Sequence, residues 1–289
     1  WGVMALGVYI TFRLLDFADL TVDGSIATGA AVSVMLIRAG VSPIATLPIA
    51  FLAGALAGMV TGLLNTALGI PGILASILTQ ISLYSINLNI MGKANQPVSV
   101  DNYPLVVSLR YVTDGSVSRL LFFLGMIVFL LALIAVMYWY FGTEQGHAIR
   151  ATGCNGNMAR AQGINTNFIK VLALMISNGL VGLCGALYGQ FQGASDVNMG
   201  RGAIVIGLAA VIIGEVLFGK FASKRKLAFA FTLASVILGA VIYYMVYQFV
   251  LWLKMPSEDM KLFSAIVVAI FLAIPYLKEK RTLRKGASK

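Results

Sequence analysis

Charge is scarce in this 289-residue chain: 11% of residues are Asp, Glu, Lys or Arg, against 59% hydrophobic. A soluble domain carries about 25% charged residues. So little charge cannot cover a water-facing surface, and the chain reads as an integral membrane protein. Histidine and cysteine are nearly absent. His147, Cys154 and Cys184 offer no metal-ligating spacing, and no structural disulfide is expected. Catalytic signatures are missing as well. There is no G-x-x-x-x-G-K-[ST], no H-E-x-x-H and no G-x-S-x-G. The chain therefore has no phosphate loop for ATP, and His147 has no nucleophile near it in sequence. No repeating ten-residue alternation of polar and apolar residues occurs, which argues against a β-barrel. What is left is an all-α fold, one polytopic transmembrane helical bundle over residues 1–289.

A membrane-spanning helix needs about 20 apolar residues. Nine apolar runs are present, at residues 1–15, 25–37, 44–64, 72–91, 119–141, 168–191, 202–218, 227–253 and 262–277. The runs at 25–37 and 202–218 are short for a span. The chain begins at Trp1 rather than Met, so the first run is expected to be cut short, with any start signal unseen. Gly54, Gly58 and Gly62 recur at four-residue spacing in the third run. Small residues so placed let helix backbones approach closely in lipid.

The net charge of +10 is not spread evenly. Residues 278–289 carry six basic residues against Glu279, and residues 219–226 carry Lys220, Lys224, Arg225 and Lys226. Arg150, Arg160 and Lys170 outnumber Glu144 in residues 142–170. The alternate connections, 92–118, 193–201 and 254–261, are neutral. Positive connections stay in the cytoplasm. The central loop 142–167 and the basic tail 278–289 are therefore expected to be cytoplasmic, and 92–118 extracytoplasmic. This clustering beside apolar runs points to membrane topology, and no nucleic-acid partner is expected.

Two polar breaks precede the two short runs. Thr21-Val22-Asp23-Gly24 stands before 25–37, and Val197-Asn198-Met199-Gly200 before 202–218. Charge counting puts them on opposite sides, as inverted-repeat halves predict, and paired interrupted segments point to a transport pathway. On this reading the two breaks lie near opposite ends of one central path. Asp16, Asp19 and Asp23 crowd the first break. A charge at mid-bilayer costs about 2.5–3.5 kcal/mol, so such groups face protein or water. They line a translocation path or hold a broken helix open. Asp23-Gly24-Ser25 fits an N-cap for the second run, and Asp16 can pair with Arg13. Gln80, Gln190 and Asn198 are further path candidates; Asn87, Asn89, Asn178, Gln192 and Gln248 fit interhelical hydrogen bonds. Tyr243, Tyr244 and Tyr247 fit an interfacial aromatic belt.

The central loop is long, polar and Gly-rich. It is expected to form two short helical pieces, 147–152 and 157–162, parted by Gly153–Gly156, with Arg150 and Arg160 projecting. Either it docks another protein or it is an ordinary loop whose arginines fix topology. Gly146–Arg150, Ala159–Asn165 and the following Gly182-Leu183-Cys184-Gly185-Ala186-Leu187-Tyr188-Gly189-Gln190 resemble the permeases of bacterial ABC importers for branched-chain amino acids and simple sugars. The opening Leu15-Asp16-Phe17-Ala18-Asp19-Leu20-Thr21-Val22-Asp23-Gly24-Ser25 is similar to the branch assigned to tryptophan/tyrosine uptake.

That resemblance implies a permease homodimer over two separate ABC ATPase subunits, in a bacterial inner membrane. An extracytoplasmic substrate-binding protein would deliver an aromatic amino acid; branched-chain amino acids, sugars and nucleosides stay open. The chain is then no enzyme and holds no cofactor, with ATP and Mg on the ATPase. Selectivity is expected to sit largely in the binding protein. The ATPase-coupling residues carried over are His147, Arg150, Ala151, Gly153, Asn155, Ala159, Arg160, Gly163, Ile164 and Asn165. The rival readings are a proton-coupled secondary transporter using Asp16, Asp19 or Asp23, and a channel-like or structural membrane subunit.

Overall fold

The structure, a computed structural model, describes residues 1–98, 103, 105–108, 116–222 and 227–252, with 266, 269 and 273 as single positions. The expected run at 262–277 otherwise lies outside the described residues, as do the tail 278–289 and parts of 92–118. The apolar runs that are described fold as helices. Helix α1 (Gly2–Tyr9) widens through Ile10–Leu14 and stops at Leu15, whose N–H reaches back to the Ile10 carbonyl at 3.0 Å. Then come α2 (Thr21–Arg38), α3 (Pro43–Thr66), α4 (Gly72–Met91), strand β1 (Asn95–Pro97) and α5 (Ser116–Phe141). The central loop holds α6 (Glu144–Cys154) and α7 (Gly156–Ala161). Helix α8 (Thr166–Gln192), strand β2 (Ala194–Asp196), α9 (Ala203–Ala222) and α10 (Ala228–Trp252) complete the described chain.

Five of these helices are long and apolar enough to cross a membrane: Pro43–Thr66, Gly72–Met91, Arg119–Phe141, Thr166–Gln192 and Ala228–Phe249. Gly2–Leu14 and Ala203–Gly219 are shorter apolar helices. The fold is an all-α polytopic membrane bundle. Helix α2 departs from expectation by starting at Thr21, so its polar residues 21–25 lie inside the helix. The reason is local. The Asp19 carboxylate accepts the Thr21 N–H at 2.9 Å and so initiates the helix ahead of the apolar run.

By its contacts the chain divides into two compact units, residues 7–204 and residues 1–6 with 205–289. In the first unit α2 and α3 both pack on α8. The glycine row of α3 is the means. A Cβ at Gly54 would strike the Asn178 carbonyl, one at Gly58 the Leu174 carbonyl, and one at Gly62 would come within 2.9 Å of the Val171 Cα. Gly29 of α2 abuts Gly182 of α8 in the same way. Such close approach maximises dispersion contacts, which carry helix association where lipid is as apolar as the side chains. Polar ties add specificity. Thr21 Oγ1 lies 2.7 Å from Thr61 Oγ1, which donates to Thr79 Oγ1 at 2.9 Å, linking α2, α3 and α4.

β1 and β2 form a two-stranded antiparallel ribbon, with Gln96 opposite Ser195. Gln96 also receives a hydrogen bond from Arg38 and donates to the Met91 carbonyl. In the second unit, Ala209 and Ile213 of α9 pack against Tyr243 of α10. Tyr243 is thus a core residue rather than part of an aromatic belt. Its neighbour Tyr244 stacks on Trp1 at 5.4 Å.

Candidate functional site

The two polar breaks meet. The Asp23 carboxylate accepts the N–H groups of Gly202 and Ile204, each at 2.9 Å. Asp23 therefore does not cap its own helix; it caps the first turn of α9 from 179 residues away. This corrects the expectation that the breaks lie near opposite ends of a path. A carboxylate beside the free amides of a helix N-terminus is favourable on both hydrogen-bonding and dipole grounds. Gly200 permits the approach, because a Cβ there would strike the Asp23 carbonyl.

Beside this junction lies a cavity of about 300 Å³. Asp23 and Gly24 of α2 form one wall, Gln80, Tyr84 and Asn87 of α4 another, and Val197, Asn198 and Arg201 the third. Three path candidates, Asp23, Gln80 and Asn198, are brought together here. Sequence reasoning missed the rest. Asn87 is fully buried, yet neither its amide oxygen nor its amide nitrogen has a hydrogen-bond partner. A buried polar group left unpaired costs about 1–3 kcal/mol, so this residue asks for an explanation. Arg201 had counted only as a loop charge. It is exposed at the cavity, and its guanidinium makes no hydrogen bond or ion pair among the described residues.

The remaining path candidates go elsewhere. Asp16 is exposed and sits in the left-handed region at φ 53°, in the irregular linker between α1 and α2. Asp19 is buried and tied to Thr21 and to Asn178, whose Nδ2 donates to it at 2.7 Å. Gln190 is sealed in a knot of its own. Its Nε2 faces Ser33 Oγ, the Pro43 carbonyl and Thr46 Oγ1, each at 3.2 Å, and its Oε1 accepts the Val106 N–H. Neither Asp19 nor Gln190 lines the cavity.

The central loop folds as two helices with side-chain caps. Thr143 caps α6 through the Gly146 N–H, Asn155 caps α7 through the Met158 N–H at 3.0 Å, and Asn165 caps α8 through the Phe168 N–H at 3.2 Å. Gly163, at φ 84°, makes the turn between α7 and α8. The break between the pieces is at Asn155, and Gly153 lies inside α6 rather than in the turn. Gly153 is needed for contact: a Cβ there would strike the Leu14 carbonyl. Of the two arginines expected to project, Arg160 is exposed and Arg150 is half-buried. Arg150 lies over the Phe141 ring at 5.8 Å, and Arg160 donates to Thr166 Oγ1 at 3.0 Å. His147 Nδ1 is 2.8 Å from the Thr143 carbonyl. Ala159 is buried, Ala151 and Ile164 are half-buried, and Met158 is 63% exposed at the tip of the element.

Residues 1–275 match the family described as branched-chain amino acid transport system / permease component. The tyrosine transport system permease protein of Clostridioides difficile is 40% identical over 272 residues, covering 94% of this chain and 86% of the relative. The inner membrane ABC transporter permease protein YjfF of Escherichia coli is 27% identical, over 75% of this chain and 64% of its own. The autoinducer 2 import system permease protein LsrC of Yersinia pseudotuberculosis is 28% identical, over 88% and 68% respectively. No solved structure matches the chain. With its polytopic helical fold and a match running through residue 275, the chain belongs to the permease components of ABC-type transport systems in the branched-chain amino acid family.

Proposed function

We propose that this chain forms the translocation path of an ATP-driven importer for an aromatic amino acid in a bacterial inner membrane. The observation that carries the reading is the 40% identity to a tyrosine transport system permease across 94% of the chain. Two copies of the permease would enclose the path, in contact with membrane lipid. An extracytoplasmic binding protein delivers the solute, and a separate ATPase, with ATP and Mg, supplies the work. The α6–α7 pair is the docking element. Its caps at Asn155 and Asn165 and its turn at Gly163 hold a rigid elbow, and Met158 offers an exposed apolar anchor at the tip. Arg150, Gly153 and Ala159 act by bracing that elbow, and the exposed Arg160 ties it to the start of α8 through Thr166.

The test is Met158→Glu in cells carrying the complete system. A charge at an exposed position changes permease stability by about 0.5 kcal/mol or less. At a docking anchor it is expected to lower ATPase recovery with the tagged permease, and L-tyrosine uptake, by about tenfold or more. Undiminished recovery and uptake in Met158→Glu would show that the elbow is not the docking element.

A further inference from the structure

We infer that the cavity between α2, α4 and residues 197–201 is a recognition site for a zwitterionic α-amino acid, with Arg201 holding the substrate carboxylate. The inference rests on the importer reading above and deepens it, because it moves part of the selectivity from the binding protein into the permease itself.

The lining carries the argument. A volume of about 300 Å³ lies at the lower end of small-molecule pockets. Its charged side chains are one acid, Asp23, and one base, Arg201. That pair suits a molecule bearing both charges and gives no advantage to a neutral sugar. A guanidinium presents a planar fork that matches a carboxylate in two parallel hydrogen bonds. The Arg201 fork has no partner among the described residues to give up. Asp23 is different. Its two oxygens each accept one main-chain amide, but a carboxylate has lone pairs to spare. It can still receive a substrate ammonium without releasing α9.

Asn87 is the second, independent pointer to a ligand. It lines the cavity, is fully buried, and has both polar atoms unpaired. A helix-bundle core has no use for such a group, whereas a bound zwitterion supplies a donor and an acceptor together. Tyr84, also in the lining, is 44% exposed, so its ring has an open face for an aromatic side chain. Gln80 and Asn198 complete the polar rim.

Saturation-transfer NMR on the full chain in detergent tests this, with L-tyrosine, tyramine and 3-(4-hydroxyphenyl)propionate as probes. L-Tyrosine is expected to bind. Tyramine, lacking the carboxylate, and the propionate, lacking the amino group, should each bind about tenfold more weakly or less, the loss typical of one charge-assisted hydrogen bond. Arg201→Gln should abolish the preference for L-tyrosine over tyramine, and Arg201→Lys should restore part of it. Asn87→Leu should weaken L-tyrosine about tenfold without lowering the thermal midpoint, because its amide makes no bond to lose. Equal binding of L-tyrosine and tyramine, wild-type binding in Arg201→Gln, or no binding at all would overturn the inference. ATP dependence of L-tyrosine uptake, measured in parallel on whole cells, judges the importer reading separately. ATP-driven uptake with negative NMR refutes the cavity alone; positive NMR with ATP-independent uptake supports the cavity and refutes the importer.

Discussion

Asn178 is a residue whose loss should cost the fold the bonds that tie α8 to α2 and to Asp19. It stands in the middle of α8, fully buried, and joins three elements. Its Nδ2 donates to Asp19 Oδ2 at 2.7 Å and to the Leu174 carbonyl at 3.1 Å, and its Oδ1 accepts from Ser25 Oγ at 2.7 Å. Replacing it by Leu keeps the bulk and removes the bonds. The Leu174 carbonyl retains its place in the helix ladder, so two groups are orphaned. The Ser25 hydroxyl loses its acceptor, about 1–3 kcal/mol, and the buried Asp19 carboxylate loses a donor, which costs more than a neutral group does. Interhelical bonds in membranes average only about 0.6 kcal/mol, because the dissociated helices find other partners. The carboxylate is less easily rescued, and we expect a net loss of about 3 kcal/mol, on the order of a hundredfold in the folding equilibrium.

Titration of the lipid-detergent-solubilised permease with SDS, followed by circular dichroism, measures that loss. The double variant Asn178→Leu/Ser25→Ala should recover about 1 kcal/mol of it, because the second change removes an orphaned hydroxyl. Stability of Asn178→Leu within about 0.5 kcal/mol of the parent would refute the reasoning, since that is the range of substitutions touching nothing. So would strict additivity in the double variant.

Two further outcomes follow from the geometry. Gly58→Leu puts a branched side chain against the Leu174 carbonyl and should cost at least the roughly 1–3 kcal/mol of an overpacked core, read as a lower SDS midpoint; an unchanged midpoint would mean that α3 does not pack on α8 this closely. Cys154 is exposed and Cys184 buried, so a membrane-impermeant maleimide should label the unmodified chain in inside-out vesicles and spare it in intact cells, and the reverse pattern would invert the assigned topology.

Some of this was readable in the chain and some was not. The four-residue spacing of Gly54, Gly58 and Gly62 marks a helix face, and that face is the one on α8. Helical periodicity is local, so it survives in the sequence. Asn155 and Asn165 were visible as motif residues, and each proves to cap a helix. The long-range partners were not visible. Nothing near Asp23 announces amides 179 residues later, and a cap read locally was assigned to its own helix. Asn87 stood among several neutral amides on α4. Only packing shows that its two polar atoms are buried and unpaired. Gly153 misled in the opposite sense. A glycine between two helical pieces reads as a turn, but here its missing Cβ makes room for the Leu14 carbonyl. For that reason Gly153→Glu would test folding rather than docking.

The same contacts bear on the energy source. A proton-coupled carrier needs a carboxyl that exchanges partners as it gains and loses its proton. Asp16 is exposed in the linker before α2 and is not part of the cavity lining. Asp19 is enclosed by Thr21 and Asn178, and giving up either loosens the core that α8 organises. Asp23 alone touches the cavity, and its oxygens hold the first turn of α9. Protonating it would weaken the acceptor for two main-chain amides at once, so the cost would fall on the junction of the two polar segments. Asp19 and Asp23 are thus tied into the fold by their hydrogen bonds, and Asp16 lies apart from the cavity. On the importer reading proposed above, the driving force comes from outside the membrane helices, and the capped elbow of α6 and α7 is the element proposed to receive it.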